Sequence, residues 1–398
     1  MMHFDESLRL LNEIEVSSFK TKTVPLMDSF GYIIAKDIVA DHNSPAFPTS
    51  AMDGYAIKHK DQALGRLKIA SINPAGSESK EHLEDGHCIK TFTGSLMPDG
   101  SDTLIPIENV TVDGEYIVIN ESVEFGFSVR EVGENYAKEE MLIPRGTKID
   151  FPQIGVLASL NYPEVEIYQK PKVTVISTGS ELLDLGEEQT NNAQIRSSNN
   201  YTIEAIVKKY GGEPIHHKNI KDDRDSIYSA VEAALEVSDI VATTGGVSVG
   251  DFDFVKDVIY ELGCEVIFRG VRVKPGQHII VAQKGDKFIV ALPGFAYSST
   301  IMALVYLVPL IQKLQNSQFE LPILKATLKE PFVKRSKKAE FTACNLYIED
   351  GGYKVDFVGK KVGTSAILTN MLGNLSLVYT TEDDTSKPEG EEVDIVLL

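Results

Sequence analysis

The chain has 398 residues, of which 42% are hydrophobic and 24% charged, an ordinary globular composition with enough length for about two to four domains. The formal net charge of −19 argues against nucleic acid as a partner, although an anionic small molecule could bind where basic side chains gather. The three cysteines lack the spacing of a metal site or a disulfide framework, and neither a signal peptide nor a membrane span is visible, so we expect a cytoplasmic protein.

The first third of the chain contains short elements on both sides of a β-rich segment. Residues 5–15 predict an amphipathic helix, and residues 28–40 predict a helical or mixed segment. Between about residues 57 and 132, short alternating segments predict a small β domain, with a hairpin signal at Asp113-Gly114. A helix-compatible pattern returns at residues 151–161, so we expect the β domain to be inserted into a discontinuous domain.

Strands and helices alternate from Pro171 onwards. The strands are expected at 172–177, 238–243, 278–282 and 288–292, and the helices at 199–210, 223–237, 254–262 and from Ser298. This alternation predicts a doubly wound α/β domain with a mostly parallel sheet. Ligands bind such sheets beyond the carboxyl ends of the strands, so the polar loops 177–181, 243–253 and 292–298 are candidates for a site. From about residue 318, short strands between Gly and Asp clusters predict an all-β C-terminal domain.

One loop carries the clearest chemical signal. The stretch Gly245-Gly-Val-Ser-Val-Gly250 follows an apolar run and precedes a helical pattern. Such a loop directs backbone N–H groups at an anion, and the carboxylates of Asp251 and Asp253 would tolerate that anion only with a cation between them. The alternative is an ordinary turn between a strand and a helix, with capping aspartates.

Six short motifs occur in a fixed order along the chain. They are Ser50-Ala-Met-Asp-Gly-Tyr-Ala56, Thr93-Gly-Ser95, Ser177-Thr-Gly-Ser-Glu181, Gly245-Gly-Val-Ser-Val-Gly250, Lys274-Pro-Gly276 and Leu292-Pro-Gly294. Each motif alone is weak, but together they resemble the molybdopterin molybdenumtransferases (molybdenum insertases), a family that is related to the E domain of gephyrin. The resemblance runs over essentially the full length.

The resemblance implies a multidomain α/β protein. It would contain a doubly wound α/β molybdopterin-binding domain, an inserted small β domain, a discontinuous linker domain and a C-terminal β barrel. The expected boundaries are 1–40 with 135–170 for the discontinuous domain, 41–134 for the inserted domain, 171–317 for the α/β domain and 318–398 for the barrel.

The resemblance also implies an activity. Family members insert molybdenum from molybdate into adenylylated molybdopterin, release AMP and need Mg²⁺. They act as homodimers whose site lies between the α/β domain of one subunit and the inserted domain of the other. Further partners of this class are a molybdopterin adenylyltransferase and molybdoenzyme chaperones; nucleic acid and membranes are not expected.

The resemblance also implies roles for individual residues in these motifs. Asp53, Lys274 and Asp253 would be catalytic, and Glu181, Asp222 and Asp253 would hold Mg²⁺, which prefers hard oxygen ligands. The substrate-binding set would be Thr93, Arg130, Ser177, Thr178, Gly179, Gly245, Gly246, Ser248, Gly250, Pro293, Gly294 and Ser298. Two alternatives stay open, namely that Asp53 only forms a turn and that Asp222 only caps the following helix.

The chain departs from the family's motifs at four places in the expected site. Gly133-Glu-Asn135 stands where the family has Gly-Glu-Asp, and Ser180 stands where the family's Ser-Thr-Gly-Asp-Glu has Asp. Gln277-His278 stand where family members often have Lys-Pro, and Phe295-Ala296 stand where Asn-Pro is common. One cation is therefore missing, and we hypothesise that Arg272 replaces its charge. Two other functions stay open, a molybdopterin adenylyltransferase and a catalytically degenerate relative that binds pterin as a scaffold.

Overall fold

The computed structural model describes residues 1–77, 81–247, 254–318 and 321–398. The described residues divide into two compact units. The first unit comprises residues 1–35, 146–150 and 164–398, and the second comprises residues 36–145 and 151–163. The domain boundaries expected from the sequence are finer than this division and stay predictions.

A six-stranded sheet organises the described part of the first unit. Its strands, in spatial order, are Glu213–His216, Lys172–Ser177, Ile240–Thr244, Lys287–Leu292, Ile280–Lys284 and Glu265–Arg269. The first four strands are mutually parallel, and the last two join them in antiparallel pairs, which confirms the mostly parallel sheet. The carboxyl ends of Lys172–Ser177, Ile240–Thr244 and Lys287–Leu292 therefore meet at one edge.

Helices cover both faces of this sheet. The α-helices of the first unit are Phe4–Glu13, Asn199–Lys209, Arg224–Val237, Val255–Glu261, Ala296–Met302 and Val308–Lys313. Along each central strand, alternate residues belong to different buried clusters, as with Ile240 and Val241. This period of two is what a strand buried on both faces requires, and it confirms the doubly wound arrangement.

The last helical region is not the continuous α-helix that the sequence predicts. A π-helical segment, Ala303–Leu307, separates Ala296–Met302 from Val308–Lys313. Pro309 has no N–H to donate to the carbonyl of Val305, which explains why regular α-helical hydrogen bonding stops here.

The C-terminal strands form a closed barrel. In order around the barrel they are Ile323–Leu328, Gly352–Asp356, Ala339–Glu349, Leu375–Thr380 and Glu392–Leu397, and the last pairs back with the first. The predicted C-terminal β barrel is confirmed. The short strand Val273–Lys274 pairs in parallel with residues 339–340, so the Lys-Pro-Gly motif is held against the barrel wall.

Shorter elements complete the first unit. They are the paired strands Thr21–Pro25 and Glu164–Tyr168, the paired strands Leu182–Leu183 and Ile195–Arg196, and the 3₁₀ turns Leu26–Ser29 and Leu368–Met371. The prediction for residues 28–40 was wrong in its helical part, because only the 3₁₀ turn and the short strand Ile38–Val39 form there. Gly31 adopts φ +79°, a left-handed conformation that ends the turn.

The second unit contains an open half-barrel. Its six described strands, in order, are Thr103–Pro106, Gly54–Ile57, His87–Thr91, Arg66–Asn73, Tyr116–Ile119 and Val110–Asp113. Around it lie the strand pairs Thr49–Ser50 with Val129–Arg130 and Ile38–Val39 with Met141–Ile143, the helix Phe151–Ser159, and the 3₁₀ turns His59–Leu64 and Ile107–Asn109. Val110–Asp113 and Tyr116–Ile119 form the predicted hairpin, with Gly114 at φ +62°.

The Tyr306 hydroxyl, in the π-helical segment, provides a test of how the N-terminal helix is anchored. It lies 2.7 Å from the Ser7 Oγ in a buried hydrogen bond, and Ser7 also donates to the Phe4 carbonyl. We expect Tyr306→Phe to lower the free energy of unfolding by about 1 kcal/mol, the usual contribution of one such bond. Urea denaturation followed by circular dichroism measures this, with Tyr260→Phe at an exposed position as the control. An unchanged midpoint for Tyr306→Phe would contradict the anchoring role.

Candidate functional site

Two neighbouring cavities in the first unit share part of their walls. The larger, which we call the glycine cavity, has a volume of about 820 Å³ and the smaller, the cation cavity, about 460 Å³. His278, Pro293 and Phe295 line both cavities. The glycine cavity lies where the carboxyl ends of the central parallel strands meet, the edge at which the sequence predicts a site.

The glycine cavity contains most of the predicted motif residues of this unit. The predicted residues on its wall are Thr178, Gly179, Glu181, Asp222, Gly245, Gly246, Pro293 and Gly294. Gly245 has φ +92°, and a Cβ there would lie 2.7 Å from the Thr178 carbonyl oxygen. The loops after neighbouring strands therefore touch backbone to backbone, and only glycine permits this approach. The predicted residues Ser248, Gly250 and Asp253 lie outside the described residues.

A buried polar network holds the floor of the glycine cavity. The Ser177 Oγ donates to the Asn200 Oδ1 at 2.5 Å and lies 2.7 Å from the Thr244 Oγ1. Asn200 Nδ2 donates to the His217 carbonyl at 3.0 Å. Ser177, expected to bind substrate, is instead fully buried with its hydroxyl used within the fold. Its role in the structure is to tie two strand ends to the helix Asn199–Lys209.

Two hydroxyls in the wall of the glycine cavity have no protein partner among the described residues. The Thr178 and Ser197 side chains are buried, with exposed fractions of 6% and 4%, and neither oxygen makes a hydrogen bond there. Buried polar groups in native proteins are nearly always hydrogen-bonded to protein, water or ligand. Both oxygens are themselves enclosed by the fold, so they lie behind the surface of the cavity and are not open to a ligand in this conformation.

Glu181 and Asp222 bring two carboxylates to the glycine cavity. The Asp222 Oδ2 accepts a hydrogen bond from the Ser180 N–H at 3.2 Å, and the Asp222 N–H donates to the Ser180 Oγ at 3.3 Å. Asp222 does not cap the following helix; Asp223 does, through its contact with the Ser226 N–H at 3.0 Å. The capping alternative for Asp222 is therefore wrong.

These carboxylates fit Mg²⁺ in their chemistry. Among the described residues, no group of three or more His, Cys, Asp or Glu side chains could hold a metal ion. Mg²⁺ does not need one, because it commonly binds through one or two carboxylates together with substrate phosphates and water. Glu181 and Asp222 match that donor set.

The cation cavity gathers positive charge that the motifs only partly predict. Lys274 and Ser298, both expected from the sequence, line it together with Arg335, Lys338 and Ser365. Arg335 and Lys338 lie in the segment just before the barrel strand Ala339–Glu349, about sixty residues after Lys274 in the chain. No spacing in the sequence marks them, because only the pairing of Val273–Lys274 with that strand brings the two segments together.

Lys338 brings an ammonium to Gln277, the position at which family members often have a lysine. Its ammonium donates to the Gln277 Oε1, and the Gln277 Nε2 lies 2.8 Å from the His278 Nε2. An ammonium can only donate, so the amide oxygen must face Lys338 and the amide nitrogen must face His278. The Gln277 amide therefore bridges Lys338 and His278 in the wall of the cation cavity.

Arg272 does not take the role that the sequence suggested. Its Nε lies 2.8 Å from the Glu382 carboxylate, and its guanidinium donates to the Lys337 carbonyl at 3.1 Å. Arg272 is not among the residues that line the cation cavity. The hypothesis that it replaces the missing lysine is wrong, because an acidic side chain of the barrel already holds it.

In the second unit, Asp53 and Thr93 meet directly. The Asp53 Oδ1 accepts hydrogen bonds from the Thr93 N–H at 2.8 Å and from its Oγ1 at 2.7 Å. These bonds, the backbone one foremost, lower the pKa of Asp53 below its ordinary value, so the carboxylate is ionised at neutral pH. At Gly54 a Cβ would lie 2.3 Å from the Ile105 carbonyl oxygen, which explains the glycine of the Met-Asp-Gly motif.

Arg130 lies in the second unit on the strand Val129–Arg130. Its Nε is 3.0 Å from the Glu134 Oε1, within the same loop. Both side chains are partly exposed, so this ion pair is screened by solvent and leaves Arg130 able to meet an anion. Its predicted role in substrate binding stays a prediction.

Comparison with known proteins gives a consistent result. Residues 2–161 match the family model described as "MoeA N-terminal region (domain I and II)", and residues 174–313 match "Probable molybdopterin binding domain". A molybdopterin molybdenumtransferase of Staphylococcus aureus is 32% identical over 354 residues, covering 87% of this chain and 84% of that protein. One from a Nostoc species is 28% identical, covering 95% and 89%.

Solved structures agree with this comparison. The crystal structure of a molybdopterin biosynthesis MoeA protein from Pyrococcus horikoshii OT3 superposes with a TM-score of 0.85 at 28% identity, and the match covers 100% of both chains. Among the described residues, no helix is both long and apolar enough to cross a membrane.

The contact between Asp53 and Thr93 predicts a measurable titration. Thr93→Val removes the hydroxyl bond and leaves the backbone bond, so the Asp53 pKa should rise toward 3.8, its ordinary value. Since the pKa in the folded protein is lowered, the contribution of Asp53 to stability is present above pH about 4 and is lost as pH falls through the folded pKa. Carboxyl ¹³C NMR over pH 2–6 (roughly the range of carboxyl titration) measures the shift. Thr111→Val, elsewhere in this unit, should leave the Asp53 curve unchanged, and an unchanged curve in Thr93→Val would refute the assignment.

Proposed function

The chain belongs to the molybdopterin molybdenumtransferase family, and from this membership we propose that it transfers molybdenum from molybdate to adenylylated molybdopterin with release of AMP. One observation carries the proposal, namely that a glycine-lined cavity with two carboxylates shares a wall with a cavity lined by three cations. The substrate has a phosphoanhydride at one end and must meet an oxyanion at the other, and the two cavities offer complementary surroundings for these parts.

The cation cavity is the proposed molybdate site. Lys274, Arg335 and Lys338 line it, and charged donors bind oxyanions through short, charge-assisted hydrogen bonds. The fork of Arg335 suits two oxygens at once, whereas the lysine ammoniums act as compact point charges. The Glu340 carboxylate in the same wall is already hydrogen-bonded by the Ser336 Oγ at 2.6 Å and by the Arg335 N–H, which reduces its repulsion of an anion.

The glycine cavity is the proposed site of the phosphates and the nucleotide. Gly245 and Gly246 line it, and without side chains they let a phosphate approach the backbone closely. Glu181 and Asp222 would hold Mg²⁺ there, and the ion, when bound, supplies positive charge to the phosphoanhydride. Asp253 as a further ligand stays a prediction.

The chemistry that these residues support is mainly positioning. In the net reaction two molybdenum–oxygen bonds are exchanged for two molybdenum–sulfur bonds to the dithiolene, and the two oxygens leave as hydroxide or water with the thiol protons. One water molecule hydrolyses the phosphoanhydride, so that AMP leaves and the other phosphate stays on molybdopterin. Lys274, Arg335 and Lys338 would fix the oxyanion, while the glycine cavity would fix the phosphate end of the same molecule. Holding both reactants at a defined separation removes most of the entropic barrier.

Several parts of the proposal come from the resemblance alone. A catalytic role for Asp53, the homodimer, the adenylyltransferase and chaperone partners, and a cytoplasmic location stay predictions. The adenylyltransferase alternative predicts that the protein forms the adenylate from molybdopterin and MgATP, whereas the proposed activity needs the adenylate as substrate. The names of the relatives favour molybdenum transfer.

Reconstitution with purified adenylylated molybdopterin, molybdate and Mg²⁺ tests the proposal through AMP release. Lys274→Met should lower kcat by about 10²- to 10³-fold, the usual loss on removing one charge-stabilising donor. Lys284→Met, at an exposed position outside both cavities, is the matched control and should keep the wild-type rate. A folded wild-type protein that releases no AMP would rule out molybdenum transfer.

The metal site has its own test. Glu181→Gln keeps the size of the side chain but removes its charge, so the Mg²⁺ concentration for half-maximal AMP release should rise about 10-fold or more. Glu265→Gln, on the exposed edge strand, controls for the change in net charge and should leave the Mg²⁺ dependence unaltered. A Glu181→Gln protein with the wild-type Mg²⁺ dependence would show that this carboxylate does not hold the ion.

A further inference from the structure

Phe295 stands out on the wall shared by the two cavities. Its side chain is 61% exposed, although it lies between two concave sites rather than on a convex surface. Single exposed apolar residues are common on protein surfaces and need no explanation by themselves. Three further features of Phe295 do call for one.

The first feature is its place in the helix. Phe295 is the N-cap of Ala296–Met302, a position that strongly favours Asn, Asp, Ser or Thr, and its side chain makes no capping hydrogen bond. A polar residue would therefore stabilise this helix better than Phe295 does. Helix capping therefore does not explain why this position carries a phenylalanine.

The second feature is that hydrogen bonds order the backbone at Phe295. The preceding carbonyl, of Gly294, accepts a hydrogen bond from the Asn199 Nδ2 at 2.8 Å. The Phe295 carbonyl accepts from the Ser299 N–H at 2.9 Å. Because the backbone is already ordered, only the two side-chain torsions of Phe295 lose freedom when a ligand packs against the ring.

The third feature is the distribution of polarity in the glycine cavity. Besides carboxylates and glycines, the wall of this cavity contains apolar residues. These are Ile195, which is 55% exposed, together with Ala296, Ala366 and Leu368. Apolar side chains combined with a few polar groups are what a flat heterocycle needs, since its faces are apolar and its edges form hydrogen bonds.

We propose that Phe295 is a stacking residue for the pyranopterin ring of the substrate; this rests on the proposed function. The ring system of adenylylated molybdopterin bears both the dithiolene and the phosphate chain. If the dithiolene reaches molybdate beside Lys274 and the phosphates enter the glycine cavity, the part of the substrate at the shared wall is the ring that connects them. Phe295 lies at that wall. Phe295 also lines the glycine cavity, so the adenine is the competing stacking partner, and titration with AMP distinguishes the two rings.

The test measures binding without turnover. Adenylylated molybdopterin is titrated into the full-length protein in the absence of molybdate, and the fluorescence of the pterin reports binding. We compare wild type with Phe295→Ala, with Phe295→Tyr, which keeps the ring, and with Phe30→Ala, which removes a 56% exposed ring outside both cavities. AMP is titrated separately as a probe of the nucleotide end.

Phe295→Ala should weaken binding of adenylylated molybdopterin by about 5- to 100-fold, the range for loss of one aromatic stacking partner. Affinity for AMP should change less than about twofold, and both Phe295→Tyr and Phe30→Ala should bind both ligands as wild type does. Unaltered affinity of Phe295→Ala for adenylylated molybdopterin, or an equal loss for AMP, would overturn the assignment to the pyranopterin.

The outcomes also separate this inference from the proposed function. A wild-type protein that binds adenylylated molybdopterin but releases no AMP with molybdate and Mg²⁺ would remove the activity, and Phe295→Ala would still decide the stacking. A wild-type protein that does not bind adenylylated molybdopterin would overturn both. Wild-type AMP release together with undiminished binding by Phe295→Ala would overturn the stacking alone.

Discussion

The close approach of three backbone loops at the carboxyl edge of the parallel sheet is the constraint on which the site depends. Gly245 lies where a Cβ would clash with the Thr178 carbonyl, and the Cβ position of Gly294 is 3.5 Å from the Gly245 Cα. Parallel pairing of the central strands places the three loops side by side. Any side chain at Gly245 would push these loops apart and so change the wall of the glycine cavity.

A network of buried polar side chains supports this arrangement from the floor of the glycine cavity. Ser177, Asn200 and Thr244 satisfy one another in the floor, where an unpaired polar atom would be costly. The hydroxyls of Thr178 and Ser197 in the wall have no such partner among the described residues. Ser177 and Thr178 therefore differ in their hydrogen bonding although they are adjacent in one sequence motif.

Charge in this protein is organised locally. The chain carries a net charge of −19, yet Lys274, Arg335 and Lys338 line one cavity. Lys338 reaches Gln277 from the segment before the barrel strand, so positive charge returns to a place where the Lys-Pro-Gly motif lacks its second lysine. Arg272, adjacent to the motif in sequence, is instead paired with Glu382. Proximity along the chain was a poor guide to the charge that an anion would meet.

The sequence by itself determined the order of elements, the doubly wound sheet, the C-terminal barrel and most of the glycine cavity. The sheet follows from hydrophobic periodicity, whereas the barrel and the residues of the glycine cavity were implied by motifs that resemble the family; both signals are local properties of the chain. Only the tertiary structure decided that Arg335 and Lys338 join Lys274, that Ser177 is buried, that Asp223 rather than Asp222 caps a helix, and that Phe295 lies on a wall between two cavities. The physical reason is that each of these depends on a contact between segments distant in the chain, and no local pattern encodes which distant segment will arrive.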